Sequence, residues 1–416
     1  MKNVVITHTY SLKNKGDFIL LKGTIDIFRR LLGAETNFFV FSANPSEDSD
    51  MMAYPGTEFI HQIPFPVYNT KDFRRLVNSV ASGILEYAAS WLHVKSNRVI
   101  PMLFVSDEHR KTIRALIDAD YVIGRSIDQI SDIFGFATLL RNLYVIWFVK
   151  MLGKPFFLHS QTIYLSERGL IGKIARELLK LSLKNVNTSV RDTVSFNYLA
   201  EIGVHAPFIP APSYFPISQL LAKFTKNDRA KYVLVIPRIS LSRQDSDDKQ
   251  NAYCKLIESI VANYNLDVLL MGQASAKTVD DDYELIEKIL ANLSPLARAK
   301  TSLQNIDGLR IEEFCRTIYN SKLTISERFI SCMIALSMSV PCISIDPYNG
   351  KNKGIFMAYD LGDLCLPDTA APEQIVSRVD YVFNNYSAIV EQLDKKNKAY
   401  LIDCVDKTEQ WLCSSA

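Results

Sequence analysis

The segment from Lys322 to Gly354 constrains the fold of this chain most strongly. It opens with a β-prone run at 323–325, and apolar residues then recur at helical spacing, at Ile330, Met333, Ile334 and Met338. A second apolar run at 341–345 predicts another strand directly after that helix. A strand, a helix and a strand in about thirty residues form a βαβ unit, so we predict a parallel sheet.

Basic residues follow both predicted strands of this unit. Arg328 stands where the first strand meets the helix, and a polar loop after the second strand carries Tyr348, Lys351 and Lys353. In open parallel sheets the carboxyl ends of the strands border the ligand crevice. Arg328 and Lys351 are therefore predicted to form an anion site beside a helix N-terminus, and Lys353 is an alternative to Lys351.

This order of residues resembles the C-terminal signature of the polysaccharide pyruvyl transferase family. The matching features are an Arg at a strand end, a helix, Val340-Pro341 before the next strand, and then a Tyr and a Lys. The resemblance implies a GT-B-like fold and transfer of a pyruvyl group from phosphoenolpyruvate onto two sugar hydroxyls as a cyclic ketal. The family pattern is Arg-x-His, whereas this chain has Ile330 in the place of the histidine.

The rest of the chain predicts two α/β domains. Alternating strands and helices indicate an N-terminal Rossmann-like domain at 1–222 with a variable insert at 51–110, a linker at 223–230, and a second Rossmann-like domain at 231–371. Charged helices at 372–416 are expected to pack back on the first domain. The fold class is thus α/β, with two Rossmann-like domains facing a central cleft.

Composition narrows the class of protein. The 416 residues are 48% hydrophobic and 22% charged, and a formal charge of +2 without a basic tract argues against nucleic acid as a partner. The N-terminus lacks the pattern of a secretory signal, which predicts a location in the cytoplasm or at the inner face of the membrane. Seven cysteines without a C-x-x-C pair indicate reduced, mostly buried thiols.

The first βα loop of the N-terminal domain contains Asn14, Gly16 and Asp17, and this NxGD pattern resembles the N-terminal signature of the family. Asp17 is either the N-cap of the following helix or a residue of the cleft. After the strand at 119–124, family members have a run of glycines, but this chain has Arg125 and Ser126. Arg125 either fills part of the pocket or supplies a cation for an altered ligand.

Three further strand ends carry polar residues. His159 and Gln161 end the strand at 155–160, Arg191 ends the strand at 187–192, and Arg238 follows the strand at 231–237. The sequence SVRDxxS around Arg191 also resembles the family. The resemblance places Arg191 and Arg328 near the donor anion, although either arginine could instead pair with a neighbouring carboxylate, Asp192 or Glu327.

Pyruvyl transfer needs a general acid to protonate the enol methylene group, and Ile330 cannot provide it. His8 or His159 could donate the proton from a strand end, or Glu327 could do so. As a further alternative, the chain no longer transfers pyruvate. The sequence indicates neither a metal cluster nor a cofactor other than phosphoenolpyruvate as co-substrate.

The leading hypothesis is a transferase of surface-polysaccharide assembly, as in capsule or exopolysaccharide biosynthesis, with a saccharide or lipid-linked oligosaccharide as acceptor. A GT-B glycosyltransferase that uses a nucleotide sugar is one alternative, and a degenerate family member with a binding role is another. An amphipathic helix over 73–91, with Arg74 and Arg75 beside its apolar stripe, either faces the core or contacts a membrane surface peripherally.

Overall fold

The computed structural model describes residues 1–9, 12, 14–63, 73–98, 101–102, 105–128, 130–132, 135–166, 169–224, 232–238, 246–273, 282–346 and 350–414; the side chains at 73–80, 82, 246–247 and 351 are outside this description. The chain divides into two compact units. Unit 1 comprises Met1–Leu12, Leu20–Pro212 and Val405–Ala416, and unit 2 comprises Lys13–Ile19 and Ser213–Cys404.

Unit 1 is built on a six-stranded parallel sheet. In chain order its strands are β1 (Asn3–Thr7), β2 (Asn37–Ser42), β3 (Thr57–His61), β4 (Tyr121–Gly124), β6 (Phe156–Gln161) and β8 (Asn187–Val190), and a separate short pair is β5 (Ile130–Ser131) with β7 (Ile163–Tyr164). The order across the main sheet is β3-β2-β1-β4-β6-β8. Its inner strands β1 and β6 are buried along almost their whole length because a parallel sheet is covered on both faces.

The helices of this part of the chain connect successive strands. They are α1 (Lys15–Leu32), α2 (Pro45–Met51), α3 (Phe73–Lys95), α4 (Asp107–Asp118), α5 (Phe136–Met151), α6 (Gly169–Leu183) and α7 (Thr193–Glu201). The first residues of α1, up to Ile19, belong to unit 2. The predicted insert at 51–110 is in part integral to the fold, because β3 is the edge strand of the sheet and α4 begins within the insert.

Unit 2 repeats the same plan. Its strands are β9 (Tyr232–Ile236), β10 (Asp267–Met271), β11 (Thr301–Gln304), β12 (Ser321–Ser326), β13 (Cys342–Asp346) and β14 (Cys365–Pro367), in the order β11-β10-β9-β12-β13-β14 and all parallel. The βαβ unit predicted over 323–345 is present as β12, a helix and β13.

The remaining helices are α8 (Tyr214–Leu221), α9 (Ser246–Tyr264), α10 (Asp282–Asn292), α11 (Pro295–Ala299), α12 (Ile311–Tyr319), α13 (Phe329–Ser337), α14 (Lys351–Ala358), α15 (Pro372–Asn384) and α16 (Tyr386–Ser414), with a 3₁₀ turn at Gly362–Leu364. Two of them differ from the sequence prediction. Helix α8, placed in the first domain by sequence, belongs to unit 2, and Lys351 and Lys353 lie on α14 rather than in a loop.

The end of α16 belongs to unit 1. Trp411 on this last segment packs edge-on against Phe157 of β6, at 5.4 Å between ring centres. Six of the seven cysteines are buried free thiols and Cys413 is exposed, as the cysteine pattern predicted. Among the helices in the described part of the chain, none is both long and apolar enough to span a membrane.

Candidate functional site

Four polar side chains follow or end neighbouring strands of the unit 1 sheet. His8 follows β1, Arg125 follows β4, Gln161 ends β6 and Arg191 follows β8. These strands are parallel and adjacent, so their carboxyl ends lie on one edge of the sheet. We call these four residues the unit 1 edge cluster, and all four side chains are buried.

Arg191 is held by hydroxyl groups. Its Nε donates to Oγ1 of Thr162 at 3.0 Å and its Nη1 donates to Oγ of Ser126 at 3.1 Å. Ser126 in turn donates to the carbonyl of Ser160 at 2.6 Å. Neutral hydroxyl groups, together with its other contacts, therefore fix the plane of the guanidinium group. Arg191 of the SVRD motif and Ser126, both predicted from sequence to belong to the site, are thus in direct contact.

Asp192 caps α7 beside this arginine. Its Oδ1 accepts from the Ser195 amide at 2.8 Å, and its Oδ2 accepts from the hydroxyls of Thr162 and Ser195. Burial raises the pKa of Asp192, while these hydrogen bonds and the charge of Arg191 act in the opposite direction. The second half of the motif thus has a structural function: it anchors the helix that follows the arginine.

Arg125 is the largest fully buried side chain of the described residues. Its amide donates to the carbonyl of Thr7 at the end of β1. Burial lowers the pKa of His8 and the charge of Arg125 adds to this shift, whereas burial raises the pKa of Asp48 and the charge of Arg125 opposes that shift, so the guanidinium lies near both groups. Arg125 is thus a buried cation at the strand ends, which is compatible with both roles predicted for it.

Gly124 lies too close to its neighbours to carry a side chain. A Cβ at this position would lie 2.5 Å from Cδ2 of Leu158 on the neighbouring strand and 3.5 Å from Nδ1 of His8. Gln161 reaches the same strand ends from β6: its Nε2, which carries two hydrogens, lies 2.7–3.1 Å from the carbonyl oxygens of Gly124, Arg125 and His159 and donates to this group of acceptors. Its buried Oε1 has no hydrogen-bond donor among the described residues, which leaves an acceptor in the cluster for a ligand hydroxyl or water.

The backbone of this edge is strained at two residues other than glycine. His8 has φ of 61° and Ser160 has φ of 52°, in the left-handed region. Such conformations cost about 1–3 kcal/mol each and concentrate at functional sites. Burial, positive charge and strain coincide at the carboxyl edge of unit 1.

His8 does not have the surroundings of a general acid. Nε2 lies 3.3 Å from the carbonyl of Asn142, which can only accept, so Nδ1 accepts from Oγ1 of Thr7 at 2.8 Å. Burial lowers the pKa of His8 to about 4, helped by the charges of Arg125 and Arg141. The ring is neutral at neutral pH, and this argues against the proton donation predicted from sequence.

His159 is likewise a core residue. Its ring lies edge-on to Phe28 and near Trp411, and Nε2 is 3.0 Å from Oγ1 of Thr408. Burial lowers the pKa of His159 to about 3. A side chain that is neutral and enclosed by aromatic rings has a structural function, which argues against the proton donation predicted for His159.

The carboxyl edge of unit 2 has a different electrostatic character. Arg328, at the start of α13, binds Asp282 in a two-point pair: Nε donates to Oδ2 at 3.1 Å and Nη2 donates to Oδ1. Both side chains are buried. The sequence left open that Arg328 pairs with a carboxylate instead of binding an anionic ligand. Such a carboxylate is present, but it is Asp282 on α10 rather than Glu327.

Gln273 links this pair to the start of α1. Its amide donates to Oδ2 of Asp282 at 3.0 Å, its Oε1 accepts from the amide and hydroxyl of Ser331, and its Nε2 contacts Oδ1 of Asn14 at 3.4 Å. Asn14 also accepts from the amide of Gly16 through Oδ1 and from the amide of Phe18 through its carbonyl. Asn14, not Asp17, therefore caps α1, and Asp17 lies inside the first turn.

Glu327 is a buried acceptor. Oε1 accepts from the Tyr253 hydroxyl and, at 3.3 Å, from the amide of Arg238, while Oε2 accepts from Nζ of Lys249. Burial, followed by the charge of Glu327, raises the pKa of Tyr253 well above its ordinary value, so the phenol stays a donor. Three donors directed at one carboxylate argue against Glu327 as the proton donor of the reaction.

The helix N-terminus after β13 is occupied by the protein itself. Oδ2 of Asp346 accepts from the amides of Gly350, Asn352 and Lys353 at 2.9–3.2 Å. Lys353 is exposed, whereas the Lys351 side chain and all of Tyr348 lie outside the described residues. The anion site predicted at these positions thus has a competing carboxylate in its place.

A cavity of about 790 Å³ lies along α9 in unit 2. Its charged lining residues are Asp248, Lys249, Lys255, Glu258, Glu327 and Asp368. Acidic groups outnumber basic ones, and Lys249 already pairs with Glu327, so this cavity does not favour a small anion. In the described part of the chain, no group of three or more His, Cys, Asp or Glu side chains is arranged to hold a metal ion.

Several residues of both edges were not identified from sequence. Two of them are charged: Asp282 ends an acidic run at 280–282 and pairs with Arg328, and Lys249 pairs with Glu327. Gln273 carried a usable signal, since a polar residue directly after the apolar strand β10 and Gly272 stands where strand ends meet. Thr162 carried a similar signal after Gln161.

The chain is similar to known proteins in two respects, the sequence pattern of a family and the fold of solved structures. The sequence model of the polysaccharide pyruvyl transferase family matches residues 14–348, most of the chain. No curated protein matches the sequence. Among solved structures, the UDP-GlcNAc 2-epimerase from Neisseria meningitidis bound to UDP-GlcNAc superposes with a TM-score of 0.58 at 8% identity, covering 100% of each chain.

The UDP-GlcNAc 2-epimerase from Methanocaldococcus jannaschii in complex with UDP-GlcNAc and UDP gives a TM-score of 0.56 at 13% identity, with 92% of this chain and 93% of that chain covered. At such identities the likeness concerns the fold alone. Together with the two parallel sheets it confirms the expected class, a GT-B-like α/β fold with two Rossmann-like domains.

Proposed function

Because the chain belongs to the polysaccharide pyruvyl transferase family, we propose that it transfers a pyruvyl group from phosphoenolpyruvate to two hydroxyls of a saccharide. The family is one of transferases, and its name implies a saccharide acceptor. A lipid-linked oligosaccharide of a surface polysaccharide is the acceptor class that we favour. Phosphoenolpyruvate is then a co-substrate, and the reaction needs no further cofactor.

The observation that carries this proposal is the unit 1 edge cluster. Phosphoenolpyruvate has a carboxylate and a phosphate, and arginine binds either group through two parallel hydrogen bonds. Arg191 and Arg125 are both buried at one strand edge, and the hydroxyls of Thr162 and Ser126 orient Arg191. In unit 2 the corresponding cations, Arg328 and Lys249, are each bound to a buried carboxylate.

The reaction balances without an oxidant or a metal. The methylene carbon of phosphoenolpyruvate takes up one proton, which makes C2 electrophilic, and a sugar hydroxyl attacks C2. Phosphate leaves with its bridging oxygen, and a second hydroxyl closes the ketal. The two hydroxyls release two protons. One of them replaces the proton taken up by the methylene carbon, and the other protonates the released phosphate. The proposed task of Arg191 is to bind the donor and stabilise the departing negative charge.

Thermal unfolding in the presence of ligand tests the proposal. A ligand that binds only the folded state stabilises it by about 2.7 kcal/mol at about 100 times its dissociation constant. We expect a saturable rise in Tm with phosphoenolpyruvate that exceeds the rise with inorganic phosphate or with nucleoside diphosphates. The absence of a rise at millimolar phosphoenolpyruvate, or a larger rise with a nucleoside diphosphate, contradicts a pyruvyl donor.

A further inference from the structure

Helix α6 of unit 1 exposes large apolar side chains that its own unit does not cover. Leu170 is 74% exposed, Ile174 is 46% exposed and Leu181 is 62% exposed. With Glu177 these residues repeat every three or four positions, so they form one stripe along the helix. Ile171, beside the stripe, is 54% exposed. Single exposed apolar residues are ordinary, whereas several exposed apolar residues aligned on one helix face mark an interaction surface.

The opposite face of α6 is firmly attached to the unit. Its buried residues are Gly172, Ala175, Leu179, Ser182 and Leu183. The indole Nε1 of Trp147 on α5 donates to Oγ of Ser182 at 2.8 Å, and Nζ of Lys150 donates to the carbonyls of Leu181, Ser182 and Lys184. The exposed stripe therefore belongs to a fixed helix and does not result from fraying at a chain end.

The charges beside the stripe are mostly positive. Lys173, Arg176, Lys180 and Lys184 are exposed along or just after α6, and Glu177 is the acidic residue among them, 3.8 Å from Nζ of Lys180. A dimer through this face is disfavoured, because the second copy of α6 would carry the same positive charges and the two copies would repel each other. An anionic lipid surface offers both an apolar interior for the stripe and negative head groups for the lysines.

A second helix of unit 1 also exposes large apolar side chains. Helix α3 packs on α5 through Tyr87, whose ring contacts those of Tyr144 and Phe148, and it exposes further large apolar residues. These are Ile84, Leu85, Trp91 and Leu92. A tryptophan and leucines beside a basic last turn with Lys95 have the composition of an interfacial helix.

We infer that unit 1 binds peripherally to an anionic lipid bilayer through the α6 stripe and its lysines, and that the exposed apolar residues of α3 add to this binding. The apolar side chains enter the interface between head groups and acyl chains, and the lysines contact the phosphates. This inference goes beyond the proposed transfer reaction and does not depend on it, because it rests on side chains that are not part of the unit 1 edge cluster.

Co-sedimentation with vesicles tests the inference. The full chain is mixed with vesicles of phosphatidylcholine alone or with about 30 mol % phosphatidylglycerol, at low and high salt. We expect binding to the anionic vesicles that weakens with salt. The variant Leu170→Ser/Ile174→Ser/Leu181→Ser should lose at least about tenfold in partitioning because three apolar side chains no longer enter the interface. Lys173→Gln/Lys180→Gln should lose the preference for phosphatidylglycerol.

Leu296→Ser provides the matched control, because Leu296 on α11 of unit 2 is 64% exposed and should not affect binding. Circular dichroism and Tm show whether each variant folds. The inference is overturned if the wild type does not bind anionic vesicles or if the triple variant binds as well as the wild type. It is also overturned if the stripe instead mediates a dimer, seen as a concentration-dependent mass that the triple variant abolishes.

Discussion

Gly16 on α1 and Ile330 on α13 are in direct contact: a Cβ added to Gly16 would lie 2.3 Å from Cγ1 of Ile330 and 2.4 Å from its Cγ2. Ile330 stands in the place of the family histidine, and Gly16 belongs to the N-terminal signature. The space beside Ile330 is thus filled by the backbone of α1. At the position where the resemblance implies a histidine, this chain therefore has an aliphatic contact.

Gly16→Ala tests this contact. In an ordinary helix the change favours folding by about 1 kcal/mol, but here the added methyl group meets Ile330, and overpacking costs about 1–3 kcal/mol. We expect a net loss in the free energy of unfolding by urea. In the Ile330→Ala background, where the clash is removed, adding Gly16→Ala should cost much less free energy of unfolding than it does in the wild type. A Gly16→Ala variant as stable as the wild type contradicts the close approach.

The buried pair of Arg328 and Asp282 gives a second prediction. Arg328→Ala leaves the Asp282 carboxylate buried without this partner, and breaking such a pair costs about 3–5 kcal/mol. Arg328→Gln/Asp282→Asn removes both charges and should cost clearly less. Chemical denaturation measures both variants. Lys288→Ala, at an exposed pair with Glu284, is the control and should change stability by less than about 1 kcal/mol. Equal losses for Arg328→Ala and Lys288→Ala would refute the buried pair.

The hydroxyl of Tyr253 should contribute more to the free energy of unfolding than the hydroxyl of a tyrosine whose hydrogen bond is exposed. Tyr253→Phe removes a donor to the buried Glu327 carboxylate, which should cost about 1–3 kcal/mol. Tyr264→Phe removes a similar bond to Asp380 at an exposed position and should cost less than about 1 kcal/mol. Denaturation in urea compares the two, and a smaller loss at position 253 than at position 264 would speak against the described network.

Buried His159 should make stability depend on pH. Its pKa in the folded state, about 3, lies below the ordinary 6.5, so the unfolded chain takes up a proton first as pH falls. The contribution of neutral His159 to the free energy of unfolding is therefore complete above pH 6.5 and decreases by about 1.4 kcal/mol per pH unit below that pH. We expect His159→Gln to lose stability less steeply than the wild type from about pH 7 to about pH 5. Parallel curves for the two proteins would show that His159 takes up protons in the folded state.

Sequence reasoning identified the fold because its signals were local. The apolar runs of β1, β9 and β12 and the helical spacing in α13 each lie within about ten residues, and the βαβ order then gives parallel sheets. The edge strand β3 was not predicted because its sequence, TEFIH, is short and half polar. Helix α14 was read as a loop because Asn, Gly and lysines are frequent in loops.

The site was harder to predict because partners come from distant positions. Arg328 was correctly placed at a strand end, but its carboxylate lies 46 residues earlier. His8 and His159 also follow or lie on the predicted strands, yet sequence alone did not show that burial makes them neutral. By contrast, the SVRD motif placed Arg191 and Asp192 together, since a cap and its helix are neighbours in the chain.

The central claim is that Arg191 binds the anionic donor, and calorimetric titration of phosphoenolpyruvate tests it most directly. Arg191→Lys keeps the positive charge but loses the planar fork, so we expect its Kd to rise at least about tenfold over that of the wild type. Thr193→Ser, at the next helix start, should leave Kd unchanged. A wild-type Kd in Arg191→Lys, together with lost binding in Arg328→Gln/Asp282→Asn, would contradict the claim.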